Sequence, residues 1–329
     1  MLMSCSLDVT TIPSQRIENG LQASETPFST ALKSVSFHPN IEYGDDERNV
    51  YDFFKPNLKT PSSLLILIHG GGFVNGGKAN YYESYRYRGL INRLLKKNIA
   101  VAAINYRYLN PEDTLGILNS LNDAKQALQH LRYFSDSLHF QKDKVMIYGS
   151  SAGSAAAMWL GFGDERAKPK SENPIEREST RIQGLVGIST QANYDIATWH
   201  NTVFSSFQKD GFTEASLKKM IKEYRILVYY GIKTREELAS ERTKAYLNKT
   251  DMLSMLSADD PLFYLSTEET SGDIPTKMSD VFHHPLHVKT IQQRAVKVGA
   301  KGIYHCPQIN LNTTKGESYE EFIIKTIGH

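Results

Sequence analysis

Val145-Met146-Ile147-Tyr148-Gly149-Ser150-Ser151-Ala152-Gly153-Ser154 is the stretch whose reading decides the fold. An apolar run over 145–148 leads into a Gly-x-Ser-x-Gly turn, and a segment rich in small residues follows to Leu160. The pattern predicts a strand, a sharp corner and a helix. A serine held on so tight a corner projects its hydroxyl above the sheet, and the two glycines leave room where strand and helix nearly touch. The start of the helix aims backbone N–H groups and the positive end of a dipole at any negative charge forming beside that serine. Ser151 is therefore the candidate nucleophile.

Upstream, Leu64-Leu65-Ile66-Leu67-Ile68 is a continuous apolar run, which fits a strand buried on both faces. It ends in His69-Gly70-Gly71-Gly72-Phe73. Consecutive glycines are costly in entropy, and they make sense where backbone N–H groups must face a ligand with no side chain in the way. An acyl-transfer intermediate carries a negative oxygen, and preorganised donors stabilise it by roughly 3–4 kcal/mol each. Gly71, Gly72 and Ala152, the residue after the nucleophile, are the candidate oxyanion donors. A phosphate-binding reading of the glycines is weakened because no Gly-Lys-Ser/Thr closes the loop.

The chain has 329 residues, 40% of them hydrophobic and 22% charged, enough for one large α/β domain with an insertion or for two small domains. A net charge of +2 gives no reason to expect a nucleic-acid partner. The two cysteines, Cys5 and Cys306, form neither a disulfide framework nor a Cys-x-x-Cys metal spacing. No apolar run approaches transmembrane length. Residues 1–33 are Ser/Thr-rich and read as a flexible leader. Within them Leu2-Met3-Ser4-Cys5-Ser6 is similar to the end of a lipoprotein signal that lacks its basic and apolar regions. Two placements follow: cytoplasmic for the chain as written, or periplasmic or outer-membrane if Cys5 ends a truncated lipoprotein signal.

From 34 onward the pattern reads as one domain. An antiparallel hairpin turns at 43–47, and strands at 64–68, 99–104, 144–148 and 182–188 alternate with helices at 81–97 and 115–134. Such alternation argues a mostly parallel, doubly wound sheet. Helical patterns over about 195–256 read as a cap inserted between two strands, with Trp199, Phe204, Phe207, Tyr229 and Tyr230 as candidate pocket aromatics. Strands at 261–265 and 302–306 complete the sheet.

His69-Gly70-Gly71-Gly72-Phe73, Asn105-Tyr106-Arg107, Asp123, Asp143 and Gly149-Ser150-Ser151-Ala152-Gly153 occur in an order and spacing that resembles the α/β-hydrolase superfamily. The resemblance is to its HGGG-type esterases: hormone-sensitive-lipase-like carboxylesterases and feruloyl/acetyl-esterase-like enzymes of polysaccharide degradation. It covers residues 35–160 well and the rest loosely. Ser154 departs from it, standing where many relatives carry a third glycine. The resemblance implies an α/β-hydrolase fold with a helical cap. It also implies serine hydrolysis of carboxylic esters, including acyl groups on carbohydrate, through an acyl-enzyme. The partner is then a small-molecule ester, and no cofactor or metal is expected.

In this superfamily the acid follows the next-to-last strand and the histidine follows the last. Asp280 is the candidate acid, because relatives carry an Asp shortly before a helix that opens on a proline. Glu268 and Glu269 read as solvated loop charges. The loop after the last strand, Pro307 to Thr314, holds no histidine; His305 lies inside the strand and His329 is the final residue. Either the base has moved to His283 or His284 in Asp280-Val281-Phe282-His283-His284-Pro285-Leu286-His287, with His284 the choice, or hydrolysis is lost and the chain binds a carbohydrate or other small ligand. His283, His287 and Asp280 also have a spacing that a metal site could use.

Overall fold

The computed structural model describes residue 17 and residues 21–328. Among them, nine strands form one sheet: β1 (Val35–Glu42), β2 (Val50–Pro56), β3 (Ser62–Ile68), β4 (Ile99–Ile104), β5 (Phe140–Ser150), β6 (Gly184–Ile188), β7 (Leu262–Ser266), β8 (Gly302–Cys306) and β9 (Leu311–Asn312). Their order is β1-β2-β4-β3-β5-β6-β7-β8-β9. β1 and β2 pair antiparallel, as do β2 with β4 and β8 with β9; β4 through β8 run parallel.

The apolar runs are explained by two cores. Leu64, Ile66 and Ile68 of β3 join one cluster, while Leu65 and Leu67 join another on the opposite face, and β4 divides its residues the same way. The helices Tyr85–Lys96 and Tyr319–Ile327 cover the second face through Leu90, Ile91, Leu94, Phe322 and Ile323. Leu118–Tyr133, Ala152–Gly161 and Pro285–Val298 cover the first. A strand that meets apolar partners above and below has no reason to alternate.

Residues 21–33 do not behave as a free leader. Ser24 bridges to Phe37, and Phe28 is buried against Phe54 with ring centroids 5.6 Å apart. Cys5 with its signal-like neighbours, and His329, lie outside the described residues. Between β6 and β7 the chain is helical, including Glu214–Met220, Glu223–Tyr230 and Glu241–Thr250. This segment packs into the main core: Trp159 Nε1 donates to Lys249 O at 2.8 Å, and the Ile117 amide donates to Tyr246 Oη at 3.1 Å. Trp199, Phe204 and Tyr230 are buried there as core.

The Asn105-Tyr106-Arg107 turn after β4 is structural. Asp123, fully buried, receives the Arg107 amide at 2.8 Å and its guanidinium at 2.6 Å. Tyr106 Oη donates to His69 O at 2.8 Å, and its ring stacks on His69 at 4.3 Å. The turn thereby fixes the loop that follows β3.

Candidate active site

Ser151 sits at φ +51°, ψ −119°, a conformation that L-residues rarely adopt and that the fold imposes at the corner between β5 and the helix Ala152–Gly161. The flanking glycines are obligatory for steric reasons. A Cβ on Gly149 would lie 2.1 Å from Gly153 O, and one on Gly153 would lie 1.9 Å from Ile68 O at the end of β3. Ser154 makes the departure from the superfamily pattern workable: it is buried, and Gly187 of β6 leaves the room its hydroxyl occupies. The Ser151 amide is held by Ile188 O at 2.8 Å, so the corner is pinned to β6 as well.

The glycine loop lies directly against this corner. A Cβ on Gly70 would approach Ser150 O to 2.9 Å and Ser151 Cβ to 3.1 Å. Gly71 and Gly72 both have positive φ, +104° and +61°, which favours glycine. The loop's bonds are made through its carbonyls. Val74 and Asn75 amides donate to Gly71 O at 3.1 and 3.2 Å, and Tyr229 Oη donates to Gly72 O at 2.8 Å. Among the described residues the amides of Gly71 and Gly72 have no protein acceptor, which leaves them for a ligand oxygen.

His283 Nε2 stands 2.8 Å from Ser151 Oγ. The histidine beside the serine is thus His283 and not His284. The reason is local. Pro285 opens the helix Pro285–Val298, so His284 becomes its N-cap: His284 Nδ1 accepts from the Leu286 amide at 3.1 Å. His284 Nε2 is 2.9 Å from Asp273 O, so both ring nitrogens are engaged. His287 is fully buried, receiving the Ala192 amide on Nδ1 at 3.2 Å and reaching Val281 O from Nε2 at 2.9 Å. Burial drives its pKa down to about 3, and it is a packed neutral histidine. His305 is in β8, 3.9 Å from Glu268. No group of three or more metal-ligating side chains occurs among the described residues.

Asp280 does not hydrogen-bond His283. It lies in the first turn of the short helix Met278–Phe282, where its carboxylate accepts from the Thr276 amide and hydroxyl, both at 3.3 Å, and it stands 3.8 Å from Lys277 Nζ. Burial lowers the His283 pKa, and the negative charges of Glu269 first and Asp280 second oppose that shift. Glu269, read from the sequence as a bystander, stands just beyond β7 and acts on His283 through space.

One residue that sequence reasoning missed locks the histidine loop in place. Gln191 Nε2 donates to Phe282 O at 2.7 Å and to Ser189 O at 3.2 Å, tying the backbone just before His283 to the end of β6. The pocket above Ser151 has a volume of about 580 Å³ and includes Tyr81, Tyr87, Tyr194, Tyr229 and Phe282 in its walls. Of the five aromatics expected there, Tyr229 alone lines it among the described residues. His69 borders it, its pKa lowered by burial to about 4, so the ring is neutral.

A serine on a strained corner, a histidine on its hydroxyl and free amides across from it define a serine hydrolase of carboxylic esters on an α/β-hydrolase fold. The chain belongs to the BD-FAE family, a family of α/β-hydrolase-type esterases, whose model matches residues 51–271. No curated protein matches it in sequence. Among solved structures it is similar to a truncated carbohydrate esterase from gut microbiota, with a TM-score of 0.59 at 15% identity over 92% of this chain and 98% of that one. It is also similar to an acetyl ester-xyloside bifunctional hydrolase from Caldicellulosiruptor lactoaceticus (TM-score 0.55, 18% identity, 84% and 87% covered) and to a bacterial heroin esterase (TM-score 0.53, 18% identity, 85% and 76% covered).

Proposed function

We propose that Ser151 and His283 are the nucleophile and general base of this esterase, and that its substrates carry acyl groups on carbohydrate. The observation that carries the first part is the 2.8 Å contact between Ser151 Oγ and His283 Nε2. His283 takes the hydroxyl proton as Ser151 Oγ attacks the ester carbonyl, and the tetrahedral oxyanion is received by the amides of Gly71, Gly72 and Ala152. The intermediate collapses, the C–O bond to the alcohol breaks, and the alcohol leaves with the proton from His283. A water then gives a proton to the same nitrogen as it attacks the acyl-enzyme; the second intermediate collapses, the acyl carbon–Oγ bond breaks, His283 returns that proton to Ser151 Oγ and the carboxylic acid leaves. Glu269 and Asp280 stabilise the imidazolium by charge rather than by a hydrogen bond, and neither a metal nor a cofactor has a step.

Family membership and the carbohydrate esterase among the similar structures support the substrate class. The pocket's aromatic walls suit the apolar face of a sugar ring. Among the described residues no helix is long and apolar enough to cross a membrane. The test is release of acetate from acetylated xylo-oligosaccharides beside turnover of 4-nitrophenyl acetate. Both activities are expected in the native enzyme and neither in Ser151→Ala; turnover surviving in Ser151→Ala would contradict the assignment.

A further inference from the structure

The pocket above Ser151 contains one formal charge that the chemistry of ester cleavage does not use. Arg225 lines it, and no Asp or Glu does among the described residues. Arg225 lies on the helix Glu223–Tyr230, four residues before Tyr229, so the two side chains share a face of that helix. Tyr229 is anchored to the glycine loop through Gly72 O at 2.8 Å, which sets the face toward the nucleophile. The guanidinium meets Met278 Sδ at 2.8 Å, a weak acceptor, and among the described residues it makes no ion pair. By contrast Arg235, in the same helical segment, pairs with both Glu214 and Glu223. A guanidinium beside aromatic walls, with its fork left to a thioether, has the charge and geometry to receive a carboxylate.

We infer that Arg225 is a specificity-determining residue that selects esters carrying a carboxylate away from the scissile bond. This deepens the ester-hydrolase reading and rests on it. The carboxylate could belong to either side of the ester: a uronate-type alcohol or a dicarboxylic acyl group. Bond making and breaking at the carbonyl are unchanged; the anion is bound and is not consumed.

Four phenyl esters separate the possibilities. 4-Acetoxybenzoate against 4-acetoxybenzamide places the charge on the alcohol side, and monophenyl succinate against its terminal amide places it on the acyl side. For at least one pair, Arg225→Gln is expected to lower the charged-to-neutral ratio of kcat/KM roughly tenfold, mainly through KM, with Arg225→Lys retaining part of the preference. The native preference is expected to weaken as KCl rises from about 50 to about 500 mM. Ratios unchanged in Arg225→Gln would overturn the assignment; should that variant fail to fold, a native preference insensitive to KCl or its absence would do so. If the native enzyme cleaves none of the four, the ester reading itself falls only where acetylated xylo-oligosaccharides and 4-nitrophenyl acetate are left intact as well. Whenever none of the four is cleaved, Arg225 is decided by calorimetry with benzoate and succinate on Ser151→Ala: binding that disappears when Arg225→Gln is added supports the subsite, and no binding overturns it.

Discussion

His283 and His284 are neighbours in sequence with different duties, and the difference comes from Pro285. A proline at the first helical position makes the residue before it the cap, and the cap spends a ring nitrogen on the helix. The residue one step earlier is left to face Ser151. The cluster was legible in the sequence as one place to which a base could have moved, and the capping rule is the signal that separates its members. His283→Ala is expected to lower kcat by about 10⁴-fold or more, since base and nucleophile act as a unit. His284→Gln is expected to cost far less in kcat and to show instead as lower thermal stability. Because burial outweighs the opposing charges of Glu269 and Asp280, the His283 pKa lies below the ordinary 6.5. The imidazole is neutral above its pKa, so kcat/KM should rise with pH through a midpoint under 6.5 and stay level beyond it. Glu269→Gln removes a charge that holds the proton on and should move that midpoint to lower pH. A midpoint above 7 would contradict the buried geometry. No sequence signal distinguished Glu269 from Glu268, because its influence depends on where the loop after β7 folds back.

At the scale of elements, the two glycine motifs explain each other. Gly153 lets the helix start touch the end of β3, and Gly70 lets the loop after β3 touch the serine corner. Both motifs and most strands were readable because a tight contact leaves only glycine, and a strand with two cores leaves only apolar residues. The expected cap was readable as helix, but its role was not. Four of its five conspicuous aromatics pack away from the pocket; Trp199 and Phe204 lie against His287, and Phe207 against His284. Tyr229 differs because its hydroxyl holds Gly72 O, a long-range bond that spacing cannot reveal. Tyr229→Phe should loosen the glycine loop proposed to hold the oxyanion and lower kcat by about five- to tenfold with a smaller change in KM, measured with 4-nitrophenyl acetate. Equal kinetics in the two proteins would show that the loop keeps its shape without that bond.

For the molecule as a whole, stability is coupled to pH through histidines that fold neutral. Burial lowers the pKa values of His69, His130 and His287 to about 4, 3 and 3, against 6.5 in the unfolded chain. Between those values the unfolded chain binds protons that the folded one does not, so stability is full above pH 6.5 and is lost as pH falls toward the folded values. The midpoint of thermal unfolding should therefore drop steadily from about pH 6.5 to about pH 4, and a flat profile there would contradict the burial of these rings. Asp123, sealed under Arg107, is the other whole-fold element: Asp123→Ala should cost about 3 kcal/mol in chemical denaturation without displacing the catalytic pair. The α/β order of the sheet was legible from alternation alone. The packing of residues 21–33 on β1 and β2 was not, because Phe28 is an isolated apolar residue in a polar stretch.

The central claim is that Ser151 is activated by His283, although the loop after the last described parallel strand holds no histidine. Phosphonylation by a fluorophosphonate probe, timed by intact mass and located by peptide mapping, tests it most directly. The native enzyme is expected to label once, at Ser151. Labelling should be at least about 1000-fold slower in His283→Ala and close to native in His284→Gln. Native-rate labelling of His283→Ala, or a label on any residue other than Ser151, would contradict the account.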